Sequence, residues 1–499
     1  MTFDHRALRS LAATAAATGL LSLTLPALPA SAQPTDTTIA LLNFNDFHGR
    51  IDADTTKFAT TIENQRDAYG EANTLLLSGG DNIGASLFAS ATQADQPTID
   101  VLNALDVKAS AVGNHEFDKG FSDLTDRVIN GGANAKWDYL GANVYLKGTT
   151  TPALPEYSIQ TVGGIKVGIV GVVTQETPSL VSPAGVSTLS FGDEVAAMNR
   201  VANQLKDGND ANGEADIVVA EFHDGANLSA SPSVDLAAAK TDSADFADLV
   251  DNTSPKVDVL FNGHTHMTYA WTDASHSGRP IVQAASYGTK LGKVVLPYNT
   301  PTKAITSVDA SVLDRAATAN TGYPRVASVA SIVTAALNHA PTVGNGPIGT
   351  LTGNITTAFN GGAYTDGVWA GGSRDNRAKP STMGSLVAES LLSTLSNPDR
   401  GGAEIGIVNP GGLRAELYYA KSGVESTDGV ISYSEANSVL PFVNNLWTTT
   451  LTGAQFKQVL EEQWQPDGSS RPYLALGLSK NVSYAYDPTA ARNARITSV

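Results

Sequence analysis

The chain has 499 residues, and its 32 basic and 49 acidic side chains give a formal net charge of −17. This length exceeds what one hydrophobic core usually holds, so two large domains are expected. The acidic balance and the lack of a basic stripe exclude a nucleic-acid polymer as the expected partner. Cysteine is absent from the sequence, so any metal site must use His, Asp, Asn or Glu.

Residues 1–32 have the pattern of a secretory signal peptide. Basic residues precede the apolar run LAATAAATGLLSLTL, and Ala30-Ser31-Ala32 supplies the small residues of a cleavage site. Pro26 and Pro29 disfavour the alternative, a single membrane anchor, because they lie where a membrane span would have to continue. The mature protein is therefore expected to be exported, whether secreted, periplasmic or at the cell surface, and to have no stable membrane span.

From residue 37 onward, short apolar runs alternate with helical patterns such as GDEVAAMNRVANQLKDG, which predicts an α/β domain. Five of the apolar runs are followed directly by polar residues, at the place where ligands bind in open α/β sheets. The apolar runs, each with the polar residues that follow it, are TTIALLNF followed by Asn45 to His48, NTLLLSGG followed by Asp81-Asn82, VKASAVG followed by Asn114-His115, ADIVVAEF followed by His223-Asp224, and VDVLFNG followed by His264 to His266.

Seven histidines lie beyond the signal segment, and five of them fall in these strand-end clusters. A lone histidine at such a place is usually structural, but five that each adjoin a carboxylate, an amide or another histidine favour metal binding. Mixed imidazole, carboxylate and amide ligands suit Mn²⁺, Zn²⁺ or Fe²⁺ better than Mg²⁺ or Ca²⁺. The groups outnumber the needs of one ion, which predicts two divalent metal ions bridged by a shared carboxylate.

The C-terminal part is predicted to form a second α/β domain. A helix is predicted over residues 323–340 and a hinge around 337–346, where Gly and Pro accompany the predicted end of the helix. Beyond it, we predict helices at TMGSLVAESLLSTL and TGAQFKQVLEEQW and a strand at AEIGIVN. The predicted boundaries are 37–322 for the first domain, 323–345 for a linker helix and hinge, and 346–499 for the second domain.

The motifs NDFHG, GGDN, GNHEFD, EFHDG and GHTH, in this order, resemble those of the calcineurin-like metallophosphoesterases. The two-domain arrangement is similar to that of the secreted bacterial 5′-nucleotidases. This resemblance implies an αββα sandwich followed by a substrate-binding domain. It also implies that Asp46, His48 and His266 hold one metal, that Asn114, His223 and His264 hold the other, and that Asp81 bridges the two.

The resemblance further implies a catalytic dyad in which His115 faces the phosphate and Asp118 orients it. Glu116 would support the metal ligands, although both acids could instead cap a helix N-terminus. The implied reaction is the hydrolysis of nucleoside 5′-monophosphates to nucleoside and phosphate, by in-line attack of a metal-bridging hydroxide.

In the C-terminal domain, the resemblance implies substrate contacts from Arg377, Asn409, Arg414, Phe442 and Asn444, with Phe442 stacking on the base. Arg374 does not match the spacing of the family's arginine motif. Tyr433 and Trp447 are expected to be core residues rather than base contacts. The family continues with a segment that contains NGGDG and a second base-stacking aromatic residue. That motif does not occur in these 499 residues, so either the sequence is truncated after Val499 or the base site is half built.

Three alternatives stay open from the sequence. The same chemistry could act on 2′,3′-cyclic nucleotides, as in a phosphodiesterase/3′-nucleotidase, or on nucleotide sugars or nucleoside di- and triphosphates. A thiosulfate-ester hydrolase of the same superfamily is disfavoured by the arginines and Phe442. A catalytically inactive binding module is disfavoured because no metal ligand is missing. The sequence does not determine the oligomeric state.

Overall fold

The computed structural model describes residues 36–226, 235–365, 368–374, 376–422, 425–441, 446–466 and 472–499. The predicted signal segment, Phe442 and Asn444 lie outside these residues. The helices of the described chain are α1 Thr55–Tyr69, α2 Phe88–Ala91, α3 Gln96–Ala104, α4 Phe121–Asp123, α5 Thr177–Leu180, α6 Glu194–Gln204, α7 Leu236–Asp242, α8 Ala244–Asn252, α9 Pro324–Gly344, α10 Thr382–Leu395, α11 Tyr433–Val439 and α12 Gly453–Glu461.

The N-terminal strands form two large sheets and one small pair. They are β1 Asp36–Phe44, β2 Thr74–Ser78, β3 Ala109–Ala111, β4 Asp138–Leu140, β5 Val144–Leu146, β6 Tyr157–Val162, β7 Ile165–Val173, β8 Leu189–Phe191, β9 Ile217–His223, β10 Val259–Asn262, β11 Thr268–Asp273, β12 Arg279–Ala284, β13 Lys290–Asn299, β14 Ala304–Ile305 and β15 Asp309–Asp314.

The C-terminal strands are short and pair in twos. They are β16 Pro347–Thr350, β17 Phe359–Asn360, β18 Ala363–Thr365, β19 Val368–Ala370, β20 Ser373–Arg374, β21 Ile407–Val408, β22 Val430–Ser432, β23 Gly477–Leu478, β24 Ala485–Tyr486 and β25 Ile496–Ser498.

Two mixed sheets pack face to face in the N-terminal domain. The first has the order β14-β13-β1-β2-β3-β4, with β15 also paired to β13, and the second has the order β11-β12-β10-β9-β7-β6. In each sheet four neighbouring strands run parallel, β1 to β4 in the first and β7, β9, β10 and β12 in the second. Parallel strands buried on both faces explain the continuous apolar runs in the sequence.

Side chains of β1 show the three layers of packing. Ile39 and Leu41 face the second sheet, while Leu42 and Phe44 face the helices outside the first. A third core lies between the second sheet and helices α6 and α8. The two sheets with helices on both outer faces confirm the predicted αββα sandwich.

Helix α9 is longer than predicted and ends at Gly344, because Pro341 is accommodated inside it and Asn345 N donates to Pro341 O at 3.0 Å. The expectation that the helix ends at residue 340 is therefore wrong, and most of the predicted hinge is helical. The role of this stretch as a hinge stays a prediction.

By length and hydropathy, α9 could cross a membrane, with a mean hydropathy of 1.3 over its most apolar window. Its residues Val326, Val329 and Val333 recur at helical spacing and are buried in the core that also contains side chains of α1 and α3. Arg325, in its first turn, is paired with Glu71 at 2.7 Å. This packing accounts for part of the apolar face, and one such helix is weak evidence for a membrane span.

The C-terminal domain has two small cores built on its helices. Helix α10 coincides with the predicted segment, and its N-cap Ser381 accepts from Gly384 N at 3.0 Å. The strand predicted at AEIGIVN shortens to β21, and α12 begins after its cap Thr452 and ends at Glu461. Where the two domains meet, the rings of Phe88 in α2 and Tyr433 in α11 lie 5.7 Å apart.

Gly171 in β7 tests how closely the two sheets approach. A Cβ at this position would lie 2.6 Å from Leu140 Cβ and 2.9 Å from Leu140 O, so a methyl group cannot fit without moving the backbone. We expect Gly171→Ala to lower the free energy of unfolding by about 1–3 kcal/mol, measured by denaturant titration. The control Gly349→Ala adds the same methyl group in open space and should change stability by less than about 0.5 kcal/mol. Equal effects would contradict the close approach.

Candidate metal centre and substrate groups

Five loops meet where β1, β2 and β3 of one sheet and β9 and β10 of the other end. Backbone hydrogen bonds join the loops directly: Asp46 N donates to Gly80 O and His48 N to Asp81 O, both at 2.9 Å. Side chains extend the network, because Asp46 Oδ2 accepts from His264 N at 2.9 Å. The sandwich therefore brings together residues more than 200 positions apart.

The first group of potential ligands consists of Asp46, His48 and His266. His266 Nε2 lies 3.3 Å from both Asp46 Oδ1 and His48 Nε2. Two atoms that bind one tetrahedral ion through bonds of roughly 2.0–2.1 Å are separated from each other by roughly the distance observed between these ligand atoms. Asp46 Oδ1 is buried and has no hydrogen-bond partner among the described residues. An unsatisfied buried carboxylate oxygen facing two imidazole nitrogens fits a cation.

The second group consists of Asp81, His223 and His264, with Asn114 beside it. His223 Nε2 lies 3.2 Å from Asp81 Oδ2 and 3.2 Å from Asn114 Oδ1. Asp81 Oδ2 also lies 3.7 Å from His48 Nε2 in the first group. One carboxylate thus stands between the two groups, the position a bridging ligand requires.

Hydrogen bonds on the outer ring nitrogens orient two of these histidines. Gly84 O lies 3.0 Å from His48 Nδ1, and Gly79 O lies 2.7 Å from His223 Nδ1. Since a carbonyl only accepts, each Nδ1 carries the proton and each Nε2 points toward the candidate centre. This arrangement is typical of metal-binding histidines.

Several of these residues have strained backbones. The candidate ligands with φ between +48° and +68° are Asp46, His48, Asp81, His264 and His266. Left-handed conformations of residues other than glycine are uncommon and cost on the order of 1 kcal/mol or more each. The surrounding fold holds five such residues at one site.

Glu116 ties the loops after β2 and β3 together. Its carboxylate accepts from Asp81 N at 2.9 Å, Asn82 N at 2.8 Å and Gly113 N at 2.6 Å. Burial and the nearby charge of Asp81 raise the pKa of Glu116 to about 7. The side chain therefore holds the backbone on both sides of Asp81 in place, and its support of a metal ligand stays a prediction.

His115 and Asp118 form the predicted pair, with 2.8 Å between His115 Nδ1 and Asp118 Oδ2. The His115 ring stands edge-on to that of His48, with centroids 5.0 Å apart. Burial opposes protonation of His115, but the charges of Asp81 and Asp118 outweigh it and raise its pKa to about 9. Two carboxylates thus favour the protonated form of this imidazole, which lies next to the candidate metal groups.

Asp81 and the histidines around it shift one another's pKa values. Burial opposes ionisation of Asp81, yet His223, His115 and His48 hold its pKa well below the usual range. Burial likewise opposes protonation of His223, but Asp81 and Asp46 raise its pKa to about 10. The proton on His223 Nε2 points in the direction that a bond to a metal ion would take. A metal ion and that proton would therefore compete for this nitrogen.

The C-terminal candidates converge on the NPGG turn. Asn409 Oδ1 accepts from Gly411 N at 3.0 Å, and Arg414 Nη1 donates to Gly411 O at 3.3 Å. A Cβ at Gly411 would lie 2.9 Å from Arg377 Nη1, so the Arg377 guanidinium also adjoins this turn. The structure therefore brings Arg377, Asn409 and Arg414 together.

Other aromatic and basic residues of this domain have different roles. Arg374 is bound to Glu416, with Nε 2.7 Å from Oε1, which gives it a structural partner. The expectation that Tyr433 and Trp447 are core residues is wrong, because they are 42% and 61% exposed. Tyr433 packs on Phe88 at the domain contact instead.

Sequence reasoning missed Arg50 and Tyr287, which adjoin the first ligand group. The Arg50 guanidinium carbon lies 3.7 Å from the centroid of the Tyr287 ring, and that ring contacts those of His48 and His266. The only signal for Arg50 was its place two residues after His48.

Comparisons with known proteins match this architecture. Residues 39–268 match the family model described as calcineurin-like phosphoesterase, and residues 348–499 match that of the 5′-nucleotidase C-terminal domain. The solved structure of a 5′-nucleotidase precursor from Thermus thermophilus has a TM-score of 0.56 at 19% identity, covering 92% of this chain and 84% of its own. At that identity the likeness concerns the fold.

Three curated relatives are each 26% identical to the chain. Endonuclease YhcR of Bacillus subtilis aligns with 86% of the chain, and Cell wall protein Lmo0130 of Listeria monocytogenes with 89%. The chain spans only 33% and 58% of the lengths of these two proteins. The 5′-nucleotidase of Rattus norvegicus aligns with 96% of the chain and is itself covered to 80%.

The two family matches occur in the order of the two domains, and the first contains all the histidine and carboxylate clusters described above. The chain belongs to the calcineurin-like phosphoesterases that carry a 5′-nucleotidase C-terminal domain.

Proposed function

We propose that this protein is an exported, dinuclear-metal phosphoesterase that hydrolyses nucleoside 5′-monophosphates to nucleoside and phosphate. The observation that carries the proposal is the pair of ligand groups that share Asp81. Seven side chains would hold the two divalent ions: Asp46, His48 and His266 on one, Asn114, His223 and His264 on the other, and Asp81 on both. When bound, the ions supply Lewis acidity toward the phosphoryl oxygens and activate water.

The protein's own groups perform the remaining steps. His115, protonated and oriented by Asp118, donates a hydrogen bond to a phosphoryl oxygen and stabilises the charge that develops there. Glu116 keeps Asp81 in place while the charge at the site changes. In-line displacement then needs no covalent intermediate on the protein.

The second domain would select the nucleotide. Arg377 and Arg414 are suited to clamp phosphate or ribose, and Asn409 holds the turn between them. Phe442 and Asn444 are proposed to contact the base, although they lie outside the described residues. A 2′,3′-cyclic nucleotide or a nucleotide sugar would use the same metal groups, so these substrates are the alternative to nucleoside monophosphates.

The proposed location outside the cytoplasm rests on the pattern of residues 1–32. The relative named as a cell wall protein supports it. An inactive binding module is disfavoured, because all seven candidate ligands are present and lie where β1, β2, β3, β9 and β10 end.

A panel of phosphate-release assays tests the proposal. The chelated protein is reloaded with Mn²⁺, Zn²⁺ or Co²⁺ and offered nucleoside mono-, di- and triphosphates, 2′,3′-cyclic nucleotides and nucleotide sugars. We expect no turnover after chelation and the highest kcat/KM with a nucleoside 5′-monophosphate after reloading. Preference for a cyclic nucleotide would replace the proposed substrate, and inactivity with every metal would reject the enzyme.

Replacing Asp81 with Asn tests whether the two ions share one carboxylate. The amide cannot supply the negative charge, so we expect metal content to fall below two ions per chain and kcat to fall by roughly 10²-fold or more. Metal content is measured by elemental analysis after dialysis. Asp126→Asn changes an exposed carboxylate of the same domain and should retain metal and activity. Full metal content and activity in Asp81→Asn would contradict a dinuclear site.

Replacing His115 with Ala separates catalysis from metal binding. Since a group that transfers a proton or stabilises charge contributes roughly 10²–10⁴-fold, we expect kcat to fall by that factor while two ions stay bound. His276→Ala, whose ring pairs with Asp273 elsewhere, is the control and should keep normal kcat. If His115→Ala loses a metal ion instead, His115 is a ligand and the proposed dyad is wrong.

The C-terminal arginines are tested with two substrates. Arg377→Ala and Arg414→Ala should raise KM for the nucleotide roughly 10-fold or more, because a hydrogen bond to a charged group contributes about 1.5–3 kcal/mol. Hydrolysis of bis(p-nitrophenyl) phosphate, which needs only the metal groups, should be unchanged. Arg400→Ala, on an exposed turn of the same domain, is the control. Equal losses on both substrates would show that the arginines are structural.

A further inference from the structure

A pair of polar residues interrupts the apolar layer between the two sheets. Ile39 and Leu41 of β1 face the second sheet, and strand alternation places Asn43 next on the same face. Val219 of β9 faces the first sheet, and Glu221 is the next residue on that face. Asn43 and Glu221 are 1% and 0% exposed, so both lie fully inside the sandwich.

These two side chains are hydrogen-bonded to each other across the gap between the sheets. Asn43 Nδ2 donates to Glu221 Oε1 at 2.8 Å and to Glu221 Oε2 at 2.7 Å. Asn43 Oδ1 is buried and has no hydrogen-bond partner among the described residues. In the part of the chain that the structure describes, no basic side chain forms an ion pair with Glu221. The mutual contact therefore determines where both side chains point.

Stability alone does not explain why a buried pair of this kind is present. Burying an amide and a carboxyl group costs free energy, and apolar side chains of similar volume often give equal or higher stability. A hydrogen bond differs from apolar packing because it is directional and weakens when donor and acceptor move out of line. A polar pair in an apolar layer is therefore suited to fixing the alignment of the two sheets.

Glycines on the neighbouring strands allow the sheets to approach each other closely beside the pair. Asn43 is in register with Gly292 in the first sheet, and Glu221 is in register with Gly171 in the second. A Cβ at Gly292 would lie 3.0 Å from Val282 Cγ1 of the second sheet, and a Cβ at Gly171 would be more crowded still. The hydrogen bond thus spans a place where the two sheets are close together.

The candidate metal centre depends on how the two sheets are aligned, because each ligand group takes side chains from both. In the first group, Asp46 and His48 follow β1 of the first sheet, and His266 follows β10 of the second. In the second group, Asp81 follows β2 of the first sheet, and His223 ends β9 of the second. A shift of one sheet along the other would separate the members of both groups.

The polar pair is close to this centre along both strands. Asn43 is three positions before Asp46, and Glu221 is two positions before His223. Backbone hydrogen bonds within a sheet do not fix its alignment with the other sheet. Some bonds between the sheets, such as that from His264 N to Asp46 Oδ2, belong to the ligand loops themselves. The Asn43–Glu221 bond instead joins the strands that carry those loops.

We propose that Asn43 and Glu221 are positioning residues that align the two sheets, so that each ligand group is able to hold its metal ion. This role rests on the dinuclear centre of the proposed function and adds to it two residues that do not touch the ions. A pair that only filled space would be replaceable by apolar side chains with no effect on metal binding.

Replacing both partners with apolar side chains of similar size separates alignment from stability. The double variant Asn43→Leu/Glu221→Met leaves neither partner unpaired, so the urea midpoint of the metal-free protein should equal or exceed that of the wild type. In calorimetric titrations with Mn²⁺, the Kd of at least one of the two ions should nevertheless rise roughly 10–100-fold, as when a residue that supports a metal ligand is lost. The exchange coupling in the electron paramagnetic resonance spectrum, which depends on the spacing of two Mn²⁺ ions, should also change.

Three further variants show whether the hydrogen bond itself matters. Glu221→Gln keeps the length of the side chain and its bond to Asn43, so each Kd for Mn²⁺ should change less than about threefold. Glu221→Asp is shorter by one methylene group and should raise the Kd, which gives a second reading if the double variant does not fold. Ser158→Ala removes a bond of 2.6 Å to Asp138 Oδ2 between edge strands of the two sheets, and as the control it should leave both Kd values unchanged.

Three results would overturn the proposal. The first is wild-type Mn²⁺ affinity and spectrum in the double variant, or in Glu221→Asp if the double variant does not fold. The second is a loss of affinity in Glu221→Gln as large as that in the double variant, and the third is an equal loss in Ser158→Ala.

Failure of the proposed function is recognised separately. If the wild-type protein binds two Mn²⁺ ions and hydrolyses no nucleotide, the proposed function is wrong, and the Kd values still decide the role of the pair. If the wild-type protein binds no divalent ion, both proposals are wrong.

Discussion

The rest of this structure depends on two buried carboxylates at the edge where the two sheets meet. Asp46 and Asp81 are 0% and 1% exposed, and a buried carboxylate costs several kcal/mol unless positive charge compensates it. Here the compensation comes from imidazoles contributed by four of the five loops. Each of these loops must end its strand at the same edge, which requires parallel strands in both sheets. The sandwich is therefore the means by which distant histidines reach the same two acids.

This concentration of charge has a conformational cost that the surrounding packing offsets. Five candidate ligands adopt left-handed backbones, and these persist because hydrogen bonds and close packing leave no alternative. Glu116 alone accepts from backbone groups on both sides of Asp81. At the start of the first loop, Phe44, Phe47 and Phe58 form a mutually contacting, buried aromatic cluster. The chemistry depends on rigid elements, and the rigidity comes from the apolar core.

The sequence was most informative where local pattern and function coincide. Continuous apolar runs followed by His, Asp or Asn predicted both the strands and the polar edge, since burial on both faces leaves few other interpretations of such runs. Arg377 and Arg414 were found through resemblance, and the structure places both at the Gly411 turn. Arg374 has the same side chain in the same segment but is neutralised by Glu416, a contact 42 residues away.

The failures have a common physical origin in contacts between distant segments. Pro341 is typical of a helix terminator, yet a proline removes only one helical hydrogen bond, and tertiary packing carries α9 through it. Tyr433 was expected in the core because it is aromatic, but its ring lies at a junction between domains. Arg50 resembles an ordinary polar residue after a strand, because its aromatic partner Tyr287 lies 237 positions further along the chain.

The two domains divide the work according to what each can provide. The first domain gathers candidate metal-ligating groups on loops that hydrogen bonds hold in place, which suits charge stabilisation. The second domain has short strands, two small cores and partly exposed arginines on a glycine turn, which suit recognition more than chemistry.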